Sequence, residues 1–214
     1  MAAVPVGMGT LLHVVEVVGV LAFAISGLVE ARQKQMDLVG VFTVAFITAF
    51  GGGTLRDILL DRRPLFWVEH QAYPILIFAL ALLAWPFGRA LQAAVADRTV
   101  MLADALGLGL FSVTGASLAQ DLQMPMFVCV MMGVITGIFG GVLRDVLCNQ
   151  IPLVFRRGQL YATCSFLGCW VFLLAQWLHL EQTLALLGGI GTTFVLRVVA
   201  VRYNLLLPGG GSEH

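Results

Sequence analysis

The feature that most constrains this chain is a copy of itself. The segment Gly52–Leu65, GGTLRDILLDRRPL, returns without a gap as Gly140–Leu153, GGVLRDVLCNQIPL, so passing from 52 to 140 shifts the register by 88 residues. The correspondence runs well beyond that motif. Gly19 falls on Gly107, Phe23 on Phe111, Gly27 on Gly115, Thr48 on Thr136, Gln71 on Gln159, Tyr73 on Tyr161, Phe78 on Phe166, and Glu16 on Asp104. Chance similarity between apolar segments reproduces Leu and Val, but not Arg-Asp, Pro, Gln and Tyr in one register. Self-similarity at a fixed period marks two copies of one structural unit.

The solvent of that unit is lipid. Residues of the types AVILMFWYC make up 59% of the 214-residue chain and charged residues only 11%, with a mean hydropathy of +0.94, far from a soluble domain. A helix needs roughly 20 mostly apolar residues to cross the hydrocarbon core. Charge-free apolar runs place spans near 11–29, 38–55, 73–90, 100–119, 125–143, 160–178 and 183–200. The expected fold is therefore an all-α integral membrane protein of seven transmembrane helices. A first three-helix repeat covers 11–92, a second 99–178, a seventh helix 183–203, and a flexible tail 204–214. The N-terminus has no basic residue ahead of its apolar run, so no cleavable secretion signal is expected.

Positive charge sets the orientation, because loops rich in Lys and Arg stay in the cytoplasm. One side collects Arg32, Lys34, Arg89, Arg98, Arg144, Arg156, Arg157, Arg197 and Arg202; the other has Arg56, Arg62 and Arg63. The N-terminus is thus expected outside and the C-terminus in the cytoplasm, in a multi-pass protein of the cell inner (plasma) membrane. A repeat of three spans, an odd number, enters the membrane from opposite sides in its two copies. The halves are then inverted, an arrangement that puts solute paths at the interface between them.

The second span ends on Gly51, Gly52, Gly53 and Thr54, and the fifth on Gly137, Gly140 and Gly141. Glycine lowers helix propensity by about 1 kcal/mol, so a break or kink is expected at both equivalent places; close helix packing is the structural alternative. Arg56–Asp57 and Arg144–Asp145 follow these glycines. Each Arg is read either as an interfacial anchor paired with its neighbouring carboxylate or a lipid phosphate, or as a charge in a pore vestibule. Glu16 and Asp104 sit at matched depths in the first turns of spans one and four. Ionisable groups there need partners, and the topology pairs Glu16 with Arg56 and Asp104 with Arg144. Ser26, Thr48, Ser112, Thr114, Ser117 and Thr136 line spans one, two, four and five with hydroxyls, and most membrane Ser and Thr bond their own helix. Spans three and six lack such a set and read as packing helices.

No HExxH, GxxxxGK, GxSxG or Cys/His cluster is present, so catalysis is not expected. His13, His70 and His179 look scattered, and Cys129, Cys148, Cys164 and Cys169 read as structural. No structural metal, cofactor or nucleic-acid partner is expected.

With GGGTLRD and FGGVLRD inside a three-plus-three-plus-one layout, the sequence resembles the prokaryotic TRIC (trimeric intracellular cation) channel family, whose bacterial relatives also carry the name glycine transporter. The resemblance covers roughly 11–205. It implies a homotrimer in the lipid bilayer, with a potassium-permeable pore in each protomer between spans one, two, four and five, gated at the glycine kinks of two and five. Potassium is the expected permeant ion, with sodium as a second candidate. The Lys-Glu-Val lipid-binding motif of animal members is missing. The alternative function is alternating-access transport of glycine or another small amino acid, and a third is a non-conducting scaffold.

Overall fold

A computed structural model describes residues 6–84, 97–156 and 159–206, with side chains from His13 and from Arg98 onward in the first two stretches. The described chain is helical apart from one isolated antiparallel bridge between Gln159 and Leu206. Its long helices are α1 (Val6–Gln33), α2 (Leu38–Leu59), α3 (Ala72–Ala84), α4 (Asp97–Asp121), α5 (Met126–Leu147), α6 (Ala162–Trp177) and α7 (Gln182–Arg202). Two short pieces precede α3 and α6: a one-turn helix at Phe66–Glu69 and a 3-10 turn at Leu153–Phe155.

Six of these helices end in the same way. A left-handed residue, respectively Gln35, Asp61, Gln123, Asn149, His179 and Asn204, lies two positions past the last helical residue of α1, α2, α4, α5, α6 and α7. The next backbone N–H then returns to a carbonyl five residues earlier, as from Arg62 to Asp57 and from Gln150 to Asp145, both at 2.8 Å. This closure satisfies carbonyls that the helix end would otherwise orphan, and it turns the chain back on itself within a few residues. Gln35 and Gln123 are repeat-equivalent, as are Asp61 and Asn149.

Helix α1 packs on α2 and α4, α2 on α5, α4 on α5 and α7, and α6 on α5 and α7. The contacts between halves are reciprocal. A Cβ on Gly19 would meet the Phe111 ring at 3.1 Å, and one on Gly107 would collide with the ring of Phe23. Those two phenylalanines, themselves equivalent, stack with centroids 5.3 Å apart and planes 5° from parallel. Likewise Gly52 faces the Thr136 carbonyl and Gly140 the Thr48 carbonyl, at approaches no side chain would allow. An exchange of this kind is what a two-fold relation between the halves produces.

Five helical segments are long and apolar enough to cross a membrane: His13–Gln33, Leu38–Leu59, Arg98–Asp121, Met126–Leu147 and Gln182–Arg202. Helices α3 and α6 are shorter, with 13 and 16 described residues; at 1.5 Å per residue, α6 reaches about 24 Å, against a hydrocarbon core of about 30 Å. Of the expected third span, 73–90, residues 85–90 lie outside the described residues, as do Arg89, Arg157 and tail residues 207–214. Leu206, placed in the tail by sequence, instead pairs with Gln159.

The glycine runs do not break their helices. Both α2 and α5 are continuous through Gly51–Gly53 and Gly140–Gly141. The propensity cost is offset because the missing side chains let α2 and α5 meet backbone to backbone.

Candidate functional site

Arg144, in the last turn of α5, is 2% exposed and surrounded by acceptors from three helices. Its Nε and Nη2 donate to Asp145 Oδ1 at 2.9 and 2.8 Å, and Nη1 donates to Asp104 Oδ1 on α4 at 2.6 Å and to Ser26 Oγ on α1. The second oxygen of Asp145 accepts from the Leu153 backbone N–H at 2.9 Å, which ties the connection after α5 to the same cluster. Two carboxylates around one guanidinium leave one surplus negative charge. The pairing with the neighbouring carboxylate is the one the anchor reading expected, but the guanidinium is buried among α1, α4 and α5 rather than at the protein surface.

Arg56 repeats the arrangement at the far end of the bundle. It is fully buried, donates from Nε to Asp57 Oδ1 at 2.8 Å, and reaches Glu16 Oε1 on α1 at 3.4 Å. Asp57 Oδ2 accepts from the Phe66 backbone N–H at 2.9 Å, and the guanidinium carbon lies 5.1 Å from the Phe66 ring centroid. Two features make this end looser. The Glu16 side chain is 15% exposed, and Arg62 approaches Asp57 at 3.7 Å, cancelling the surplus charge from the rim.

Between the two clusters the helices close on one another. Thr48, Thr114 and Thr136 each donate their hydroxyl to the carbonyl four residues earlier on their own helix, at 2.6, 2.7 and 2.6 Å. They are buried, and their local bonding matches the structural reading of membrane threonines. Two serines bond across helices: Ser26 accepts from Arg144, and Ser112 pairs with Ser165 of α6 at 2.6 Å. A Cβ on Gly51 would meet Leu143 of α5 at 2.6 Å and one on Gly53 would collide with the Phe66 ring, while Thr54 accepts from the Trp67 indole at 3.0 Å. Gly137 packs on Ser112, and a Cβ on Gly141 would come within 2.8 Å of the Tyr161 hydroxyl.

A cavity of about 300 Å³ opens at the Arg144 end. Its walls include Asp104, Arg144 and Asp145, with Glu30, Gln150 and Arg197 added. Glu30 accepts a hydrogen bond from the Gln150 amide, 120 positions away in sequence.

Comparison with known proteins fits this geometry. A family model described as Glycine transporter matches residues 13–89 and, a second time, 101–177, ranges that differ by the same 88-residue shift. A "UPF0126 membrane protein" of Vibrio cholerae is 35% identical, covering 93% of this chain and 82% of that protein. The "UPF0126 inner membrane protein YadS" of Escherichia coli K12 is 34% identical, covering 92% and 95%. The solved TRIC trimeric intracellular cation channel orthologue from Rhodobacter sphaeroides superposes with a TM-score of 0.84 at 34% identity, covering 92% of this chain and 100% of that one. A prokaryotic TRIC channel solved in 0.5 M KCl gives 0.85 at 31% identity, covering 92% and 98%. The chain is a prokaryotic member of the TRIC family.

In this TRIC-family chain, sequence reasoning overlooked several residues at the site. His13 and His70 are not scattered: their rings lie 5.0 Å apart, and His13 Nδ1 bonds the Tyr73 hydroxyl at 3.1 Å. The match of Tyr73 to Tyr161 was a signal for this, since Tyr161 lies in the other cluster, beneath Arg197 and beside Asp104. Ser165 contradicts the view of span six as packing alone. Glu30 and Gln150 have no repeat counterpart of their type, and no signal pointed to them. The four cysteines are free and buried.

Proposed function

We propose that this chain is a channel for monovalent cations, potassium first, with a pore in each protomer of a homotrimer running between α1, α2, α4 and α5. Seven helices cross the inner membrane in this reading, as two inverted three-helix repeats plus α7, with the N-terminus outside and the C-terminus in the cytoplasm. The observation that carries it is the pair of matched Arg–carboxylate clusters buried at opposite ends of one bundle, in a chain that superposes on solved cation channels over nearly its whole length. A guanidinium held between two carboxylates blocks the path as a tethered cation. Released, it leaves acidic groups that attract a permeant ion. Closure is completed where Gly52 and Gly140 press α2 and α5 together, and opening requires those helices to part or kink there.

Purified protein in liposomes tests the proposal by comparing potassium flux with uptake of labelled glycine. Channel activity appears as potassium flux and unitary currents that do not saturate at low concentration. Saturable, gradient-driven glycine uptake without current would replace the channel by an alternating-access carrier, the reading that the family's description keeps in view.

A further inference from the structure

His13 and His70 belong to neither Arg–carboxylate cluster, yet they meet beside one of them. His13 sits on α1, one turn before Glu16, and His70 follows the one-turn helix whose Phe66 backbone N–H binds Asp57. Their ring centroids lie 5.0 Å apart. His13 is exposed and His70 half-buried, so both are within reach of solvent. Two imidazoles that bind one Zn2+ through nitrogens at about 2.0–2.1 Å, at a tetrahedral angle, have their centres roughly 5 Å apart. The spacing is therefore that of a metal bite. His13 Nδ1 is held at 3.1 Å by the hydroxyl of buried Tyr73, a partner that fixes the ring and leaves Nε2 for a metal.

Among the described residues no group of three or more His, Cys, Asp or Glu side chains is placed to hold a metal. Glu16, the nearest acid along α1, is taken by Arg56. Water has to complete the shell, which describes an exchangeable site rather than the closed four-ligand kind that holds a fold together. Imidazole nitrogen selects zinc or copper over calcium and magnesium, which need oxygen ligands. We propose that His13 and His70 form a transition-metal site, for Zn2+ or Cu2+, that ties α1 to the α2–α3 connection. Those segments carry Glu16 and the Phe66 anchor of Asp57, so the bound metal braces the Arg56 cluster in its paired arrangement. Nothing in the site depends on which solute crosses the protein.

Isothermal titration of purified, tag-free protein with ZnCl2, CaCl2 and MgCl2 tests the assignment without measuring transport. One Zn2+ is expected per protomer, with no comparable calcium or magnesium binding. His13→Gln and His70→Gln each remove a ligand and should weaken zinc binding by more than about tenfold, and Tyr73→Phe, which removes only the orienting hydroxyl, by up to about tenfold. His179→Gln, just past α6, should leave it unchanged. Cu2+ in the wild-type site should show EPR coupling to two imidazole nitrogens, which decides the ligand set even where a variant does not fold. Hydrogen exchange of the Arg62–Gln71 backbone should slow when zinc binds. Undiminished zinc binding in His13→Gln or His70→Gln, an equal loss in His179→Gln, or a copper spectrum without imidazole coupling overturns the proposal. Calcium binding as tight as zinc overturns it too, in favour of an acidic site, and unchanged exchange over Arg62–Gln71 overturns the brace.

Discussion

At the scale of residues, the two Arg–carboxylate clusters are chemically alike and energetically unequal. Arg144 and Asp104 meet at 2.6 Å with both side chains 3% exposed, whereas Arg56 and Glu16 stand 3.4 Å apart with Glu16 partly wet. Removing one member of a buried pair strands the other at a cost of about 3–5 kcal/mol, while solvent-accessible pairs contribute about 0–1 kcal/mol. Arg144→Ala should therefore destabilise strongly, and Asp104→Asn in the same chain should recover part of the loss by removing one stranded carboxylate. A double-mutant cycle in detergent unfolding is expected to give a coupling above 1 kcal/mol for Asp104–Arg144 and a smaller one for Glu16–Arg56. Additivity within about 0.5 kcal/mol at Asp104–Arg144 would mean that the contact carries no energy. The inequality has a mechanical consequence: the Glu16 end should open first.

At the scale of elements, the crossing of α2 and α5 depends on two missing side chains. A Cβ at Gly52 or Gly140 would run into the backbone carbonyl of Thr136 or Thr48, and backbone cannot swing aside as a side-chain tip can. Gly52→Ala and Gly140→Ala should each cost about 1–3 kcal/mol through overpacking. Gly191→Ala on α7 meets nothing within 4 Å and should be neutral, or stabilising by up to about 1 kcal/mol. Thermal unfolding of the three variants checks this, and equal effects at Gly52 and Gly191 would remove the crossing from the account. The same glycines show what the sequence carries and what it withholds. Their repetition exposed them as special, and charge with topology named the partners of Arg56 and Arg144, because those pairings follow from depth and side. The helix break was misjudged because propensity is a property of one helix, whereas the offsetting term is a carbonyl on another. His13 and His70, and Glu30 and Gln150, escaped notice for the same reason: contacts between distant segments with no periodic pattern leave no trace in one chain. Arg197 had entered only as a count in the charge balance.

At the scale of the whole molecule, the exchange of equivalent contacts across Phe23 and Phe111 ties fold to orientation. If the halves are related by a two-fold axis lying in the membrane plane, the α2–α3 connection and the α5–α6 connection must emerge on opposite sides. Single cysteines at exposed positions test this. Glu69→Cys, before α3, and Asp121→Cys, at the end of α4, are expected to react with an impermeant maleimide in intact cells. Gln33→Cys and Tyr203→Cys should react only after permeabilisation. The native background is low, since all four cysteines are buried, and at Cys148, just past α5, burial and the nearby Glu30 push the thiol up to about 11, leaving little thiolate at neutral pH. Labelling of Glu69→Cys and Tyr203→Cys from the same side would be incompatible with an odd number of crossings between them. The inverted arrangement would then fail, and with it the placement of the Arg56 and Arg144 clusters at opposite membrane faces on which the two-ended gate depends.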